Sequence, residues 1–151
     1  MNTMADARLR VLFLCTENAA RSQMAERLLR QMSRDRIDVW SAGTEPAPQI
    51  HPMARAAIGR MLRLEMSGQA PKSLQQFIGQ RFDYIITVCD RAMEACPVMP
   101  GDPERIHWRF TDPMTVPGPP EVQQRAFDRV ATEIAARIRI WMALPGVRSR
   151  L

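Results

Sequence analysis

The chain has 151 residues, 46% hydrophobic and 25% charged, a composition typical of one globular domain, which we expect to span residues 1–151. Its net charge is +5, but the basic residues are scattered and interleave with no aromatic cluster, so the sequence does not favour nucleic-acid binding. No apolar run approaches the roughly 18 residues of a membrane span, and residues 1–10 are too polar for a signal peptide; we expect a cytoplasmic protein without a membrane segment.

The predicted elements alternate between strands and helices. In chain order, the hydrophobic pattern predicts a strand over residues 9–14, a helix over 21–31, a strand over 37–41, a helix over 53–64, a short helix over 73–78, a strand over 84–88, one or two helical turns over 90–96, a strand over 105–110 and a helix over 121–142. Pro145 and Gly146 are expected to end the last helix. This alternation predicts an α/β fold with a parallel sheet covered on both faces.

Reactive side chains follow three of the predicted strands. Cys15 ends the first strand, Cys89 ends the third, and Asp112 comes just after the fourth. Ligands of such sheets bind outside the carboxyl ends of the strands. We therefore expect these three side chains to lie at one edge of the sheet.

The segment after the first strand has the pattern of an oxyanion-binding loop. A short loop that ends at a helix N-terminus can direct backbone N–H groups at one tetrahedral anion. The candidate loop residues are Thr16, Glu17, Asn18, Ala19, Ala20, Arg21 and Ser22. A cysteine held there is expected to be an ionised nucleophile, with Arg21 clamping two anion oxygens, Ser22 stabilising the thiolate and Asn18 adopting left-handed backbone. The alternative is a buried cysteine and a solvent-facing arginine.

Cys89 and Cys96 are candidates for redox chemistry. An odd number of cysteines, three, in a chain expected to be cytoplasmic argues against a structural disulfide framework. Seven residues of helix rise about 10.5 Å, whereas a disulfide needs Cα atoms within about 7 Å, so pairing of these two requires the segment to unwind. The alternative is a small core residue at Cys89 and a turn residue at Cys96.

Asp112 has two interpretations. An acid before Pro113 is often a turn residue, but near an oxyanion site the same carboxyl can act as a general acid. His51 and His107 lack metal-ligand spacing and are interpreted as structural, so the sequence predicts no metal site.

Taken together, these motifs resemble the thioredoxin-coupled arsenate reductases built on the low-molecular-weight protein tyrosine phosphatase fold. The resemblance covers residues from about 9 to about 141 and rests on VLFLCTENAARSQMAE, SAGT, HPMA, ITVCDRAMEACPVMPG and HWRFTDP. The three-cysteine arrangement is its specific part. Phosphatases of this fold commonly have tyrosine after the Asp-Pro, where this chain has Met114.

The resemblance implies a fold, a reaction and partners. The fold is a four-stranded parallel sheet with helices on both faces. The reaction is a relay in which Cys15 attacks arsenate, Asp112 protonates the leaving oxygen, Cys89 attacks Cys15, and Cys96 attacks Cys89. Thioredoxin then reduces the Cys89–Cys96 disulfide. No cofactor is implied, phosphate or sulfate would also fit the loop, and we expect a monomer.

Two residues depart from the pattern of the family, and two other functions stay open. Glu17 stands where glycine is usual, and Ala20 replaces a common cysteine. The first alternative is a phosphatase that hydrolyses phosphomonoesters through a Cys15 phosphoenzyme. The second is a non-catalytic oxyanion or redox sensor.

Overall fold

The computed structural model describes residues 7–63 and 65–151. The strands are β1 (Arg10–Cys15), β2 (Asp38–Gly43), β3 (Tyr84–Thr87) and β4 (Glu104–His107). The α-helices are α1 (Arg21–Met32), α2 (Pro52–Leu62), α3 (Asp90–Ala95), α4 (Pro120–Met142) and α5 (Pro145–Arg148), with 3-10 turns at Leu74–Phe77 and Pro113–Thr115. The predicted helix end at residue 64 and the polar residues 1–6 lie outside the described residues.

The four strands form one parallel sheet in the order β2-β1-β3-β4. The central strand β1 pairs with both β2 and β3, and its last residue, Cys15, lies opposite Gly43. The carboxyl ends of all four strands therefore meet at one edge, which is where ligands of parallel sheets bind. The predicted α/β fold with a parallel sheet is confirmed.

The two faces of β1 belong to two separate clusters of core residues. Val11 and Phe13 pack in the larger cluster, which also takes the buried sides of α1, α2 and α4. Leu12 and Leu14 face the smaller cluster, which contains Ala92 of α3 and the 3-10 turn Leu74–Phe77. Because β1 is buried on both faces, its sequence is a continuous apolar run without alternation.

The end of β4 differs from its predicted position. β4 ends at His107 instead of residue 110, because it is an edge strand and its neighbour β3 ends at Thr87, which pairs with His107. Helix α4 ends at Met142, as predicted. Pro145 also begins α5, because a proline lacks only an N–H that the first helical turn leaves free.

The helices of residues 7–63 and 65–151 include none with the length and apolar character needed to cross a membrane.

Candidate active site

The loop between β1 and α1 forms the floor of a cavity of about 350 Å³. Ala20, the residue before α1, supplies no side-chain cap, and the first turn of α1 contains no acidic residue. The helix N-terminus is therefore uncapped and carries partial positive charge. The cavity is lined by Cys15, Thr16, Glu17, Ala19, Ala20, Arg21, Cys89, Asp90, Arg91, Asp112 and Met114. Such a cavity suits an oxyanion.

Asn18, which is buried beneath the cavity lining, fixes the shape of this loop through hydrogen bonds. Its φ of +51° lies in the left-handed region, which asparagine tolerates better than most residues, as the sequence predicts. Its buried amide donates to Ser22 Oγ at 2.7 Å and accepts from Gln23 Nε2 and the Lys72 backbone N–H, both at 2.9 Å. Its own backbone N–H points at Cys15 Sγ, 3.3 Å away. Asn18 and Ser22 thus support the loop without lining the cavity.

A close approach between β2 and the loop explains one glycine. A Cβ atom at Gly43 would lie 2.5 Å from the Thr16 carbonyl oxygen, closer than atoms can approach. Glycine therefore lets the end of β2 pack directly against the loop.

Arg21 is held at the edge of the sheet by backbone carbonyls. Its guanidinium donates to Val88 O at 3.2 Å and to Phe110 O at 3.1 Å, so it joins the segments that follow β3 and β4. Its other amino nitrogen lies 3.6 Å from the Asp112 carboxylate. These contacts hold the guanidinium in a fixed orientation at the wall of the cavity, and its binding of two anion oxygens stays a prediction.

Asp112 is a turn residue, as one of its two interpretations predicts, and it also lines the cavity. One carboxylate oxygen accepts from the Met114 N–H at 3.0 Å and caps the 3-10 turn, while the other faces Arg21. The turn therefore fixes the carboxyl at the wall of the cavity that also holds Cys15.

Cys15 and Cys89 both line the cavity, where their thiols interact. The interaction with Cys89 and burial raise the pKa of Cys15 above its usual value, although Ser22 and the Asn18 N–H oppose the change. The interaction with Cys15 lowers the pKa of Cys89 to about 5, helped by Thr16, whose hydroxyl lies 3.2 Å from Cys89 Sγ. These directions make Cys89 the more acidic of the two thiols, and the ionisation of Cys15 stays a prediction.

Helix α3 separates Cys89 from Cys96, as the sequence predicts. Cys89 is the residue before the helix and Cys96 the residue after it. Arg105 of β4 donates to Cys96 Sγ at 3.0 Å and to the Pro97 carbonyl at 2.7 Å, so Cys96 is held beside β4. All three cysteines are free thiols.

His107 has a role that sequence reasoning missed. Its ring bonds to Thr87 Oγ1 at 2.8 Å and to the Asp90 carboxylate at 2.9 Å, which ties the first residue of α3 to the sheet. No spacing in the sequence indicates this contact, because it depends on β3 and β4 being neighbours. His51 is structural, as predicted: its ring accepts from the Met53 N–H at the start of α2 and stacks on Phe127.

Comparison with known proteins places the chain in a family. Residues 10–148 match the family "Low molecular weight phosphotyrosine protein phosphatase". Arsenate reductases of Halalkalibacterium halodurans and Bacillus subtilis are 38% and 36% identical to it over 129 residues, 85% of this chain and 91% of each relative. The solved thioredoxin-dependent arsenate reductase of Corynebacterium glutamicum is 30% identical with a TM-score of 0.70; the match covers 93% of this chain but only 63% of that longer one.

Proposed function

The chain belongs to the low molecular weight phosphotyrosine protein phosphatase family, and from its similarity to the arsenate reductases we propose that it reduces arsenate to arsenite through Cys15, Cys89 and Cys96. The observation that carries the proposal is the second thiol, Cys89, which lines the same oxyanion cavity as Cys15. A hydrolytic site needs only one thiol and water, whereas a reductase needs a second thiol within reach of the first.

In the first step, Cys15 attacks the arsenic atom of arsenate. The Cys15 proton passes to the Cys89 thiolate, and formation of the sulfur–arsenic bond drives this transfer against the lower pKa of Cys89. The leaving oxygen departs as water after it takes a proton from Asp112, and Arg21 with the uncapped end of α1 opposes the negative charge of the transition state. The product is a covalent bond between sulfur and arsenic.

In the second step, Cys89 gives this proton to the Asp112 carboxylate, which the first step left deprotonated, and attacks Cys15 Sγ. The electron pair of the sulfur–arsenic bond stays with arsenic, which leaves as arsenite, and a Cys15–Cys89 disulfide remains. Cys96 then attacks Cys89, Cys15 leaves as a thiolate, and the disulfide moves to Cys89–Cys96. The sum is arsenic acid plus two thiols giving arsenous acid, one disulfide and water.

The last transfer requires α3 to unwind, because the helix keeps its two flanking cysteines too far apart for a disulfide. The disulfide proposed to form then joins two residues that are both partly exposed already. A dithiol protein such as thioredoxin is the reductant proposed for that disulfide, in keeping with the name of the Corynebacterium relative.

The test is arsenite production by Cys89→Ser and Cys96→Ser with thioredoxin, thioredoxin reductase and NADPH. We expect multiple turnovers in the unmodified enzyme, no arsenite from Cys89→Ser, and one arsenite per chain from Cys96→Ser, which stops at the Cys15–Cys89 disulfide. Unchanged steady-state arsenite production in Cys89→Ser would contradict the relay. Turnover of p-nitrophenyl phosphate without any arsenate reduction would identify the protein as a phosphatase instead.

A further inference from the structure

Acidic side chains outnumber basic ones on the wall of the oxyanion cavity. Three carboxylates, Glu17, Asp90 and Asp112, line it beside only two guanidinium groups, Arg21 and Arg91. An incoming arsenate is itself an anion, so this wall opposes binding unless the basic groups are directed at the ligand. The affinity of the site for its substrate therefore depends on whether each guanidinium group can turn toward the bound anion.

The two arginines differ in how they are held. Arg21 is already bonded to two backbone carbonyls and lies near Asp112, so its position is fixed. Among residues 7–63 and 65–151, Arg91 has one ionic contact, at 3.5 Å, with Glu45, and about 70% of each of these two side chains is exposed. Exposed pairs of this kind contribute little energy, so Arg91 can exchange Glu45 for a bound anion at small cost.

Arg91 also lies on the segment that the proposed reaction rearranges. It is the second residue of α3, between Cys89 and Cys96. When α3 unwinds to join these two cysteines, the backbone of Arg91 changes its place relative to the loop that ends in Arg21. The charge of Arg91 is therefore present at the cavity in the reduced protein and displaced in the oxidised one.

We propose that Arg91 is a second substrate-binding arginine, which holds the oxyanion in the reduced enzyme and withdraws when the Cys89–Cys96 disulfide forms. The withdrawal rests on the proposed function, because it requires the unwinding of α3. Because Arg91 withdraws, the site binds oxyanions tightly only while Cys89 and Cys96 are reduced. By linkage, a bound oxyanion must oppose formation of the Cys89–Cys96 disulfide by the same factor by which this disulfide weakens oxyanion binding, and it must stabilise α3.

The first test titrates inorganic phosphate into the reduced protein by calorimetry, which requires no turnover. We expect Arg91→Gln to weaken phosphate binding about fivefold, the effect of one partly solvated charge, and Arg91→Lys to restore most of it. Arg109→Gln is the matched control: it removes the same charge from a side chain that also lies near Asp90 but does not line the cavity. Equal phosphate affinity in Arg91→Gln and Arg109→Gln would overturn the proposal.

The second test repeats the titration with the protein oxidised to the Cys89–Cys96 disulfide. We expect phosphate binding to be weaker in the oxidised than in the reduced enzyme, and the ratio of the two dissociation constants to be smaller in Arg91→Gln. An unchanged ratio would overturn the withdrawal of Arg91. Absence of arsenite production by the unmodified enzyme would instead count against the proposed function, and the titration of the reduced protein would still decide the binding role of Arg91.

Discussion

At the scale of single residues, the site depends on two thiols in one cavity, of which Cys89 has the lower pKa. The sequence predicts Cys15 as the nucleophile, Arg21 as an anion-binding residue and left-handed backbone at Asn18. Each of these follows from a strand, a tight loop and a helix in succession. It does not predict that Cys89 is the acidic member of the pair. That property arises from a contact between the ends of β1 and β3, which are far apart in the chain.

Thr16→Val tests the origin of the low pKa of Cys89. The thiolate exists above its pKa, so alkylation of Cys89 should be complete at neutral pH and fall as the pH drops through about 5. Removing the hydroxyl at 3.2 Å removes one cause of the lowered pKa, so the midpoint should move to higher pH. The pH midpoint of Cys89 alkylation is measured by peptide mass spectrometry after timed iodoacetamide treatment. As the control, Thr16→Ser should keep the original midpoint. An unmoved midpoint in Thr16→Val would show that the threonine has no part in it.

Asn18→Ala tests whether the buried amide holds the loop. The change leaves the Lys72 N–H without its acceptor, leaves Gln23 Nε2 with only the Ala70 carbonyl as its acceptor, and places alanine at a positive φ. We expect the free energy of unfolding in urea to fall by at least about 2 kcal/mol. Gln31→Ala, at an exposed position of α1, should cost less than about 0.5 kcal/mol. A loss in Asn18→Ala as small as that of the control would contradict this role.

At the scale of elements, α3 is held at both ends by one strand. His107 of β4 holds Asp90 at the start of the helix, and Arg105 of the same strand holds Cys96 at its end. The helical pattern and the cysteine spacing predict that α3 must unwind for the two cysteines to pair. The sequence does not indicate these two contacts, since the strand that makes them is identified as a neighbour only once the sheet order is known.

His107→Ala should therefore ease the unwinding of α3. Loss of the hydrogen bond to Asp90, worth about 1 kcal/mol, should speed formation of the Cys89–Cys96 disulfide by diamide severalfold in the absence of arsenate. Loss of free thiols with time measures the rate. Glu104→Gln, an exposed change on the same strand, is the control and should oxidise at the original rate. A rate for His107→Ala equal to that of Glu104→Gln would mean that the contact does not restrain the helix.

At the scale of the whole molecule, one sheet joins two clusters of core residues. The fold class is predictable from sequence because alternating strands and helices leave few ways to build a parallel sheet. The ends of elements are less predictable, as β4 shows: its strand stops where the neighbouring strand β3 stops. The residues of the loop are contiguous in sequence and so can be predicted as a unit, whereas the charges around the cavity come from three separate segments.

Leu14→Ala and Leu28→Ala test whether the two clusters unfold together. Leu14 lies in the smaller cluster and Leu28 in the larger, and both are buried. Each change should reduce the free energy of unfolding by about 2–5 kcal/mol. If residues 1–151 form one cooperative domain, tryptophan fluorescence and far-ultraviolet circular dichroism should report the same urea midpoint in both variants. Separate midpoints in either variant would show that the clusters unfold independently.

The three free cysteines determine how many electrons the chain can donate before it needs an external reductant. Reducing one arsenate takes two electrons, and three thiols can supply two before a single sulfur is left over. In the proposed relay that remaining sulfur is Cys15 itself, released when the disulfide moves to the other pair. A chain without reductant should therefore yield one arsenite and stop, with its nucleophile intact and its electron donors spent.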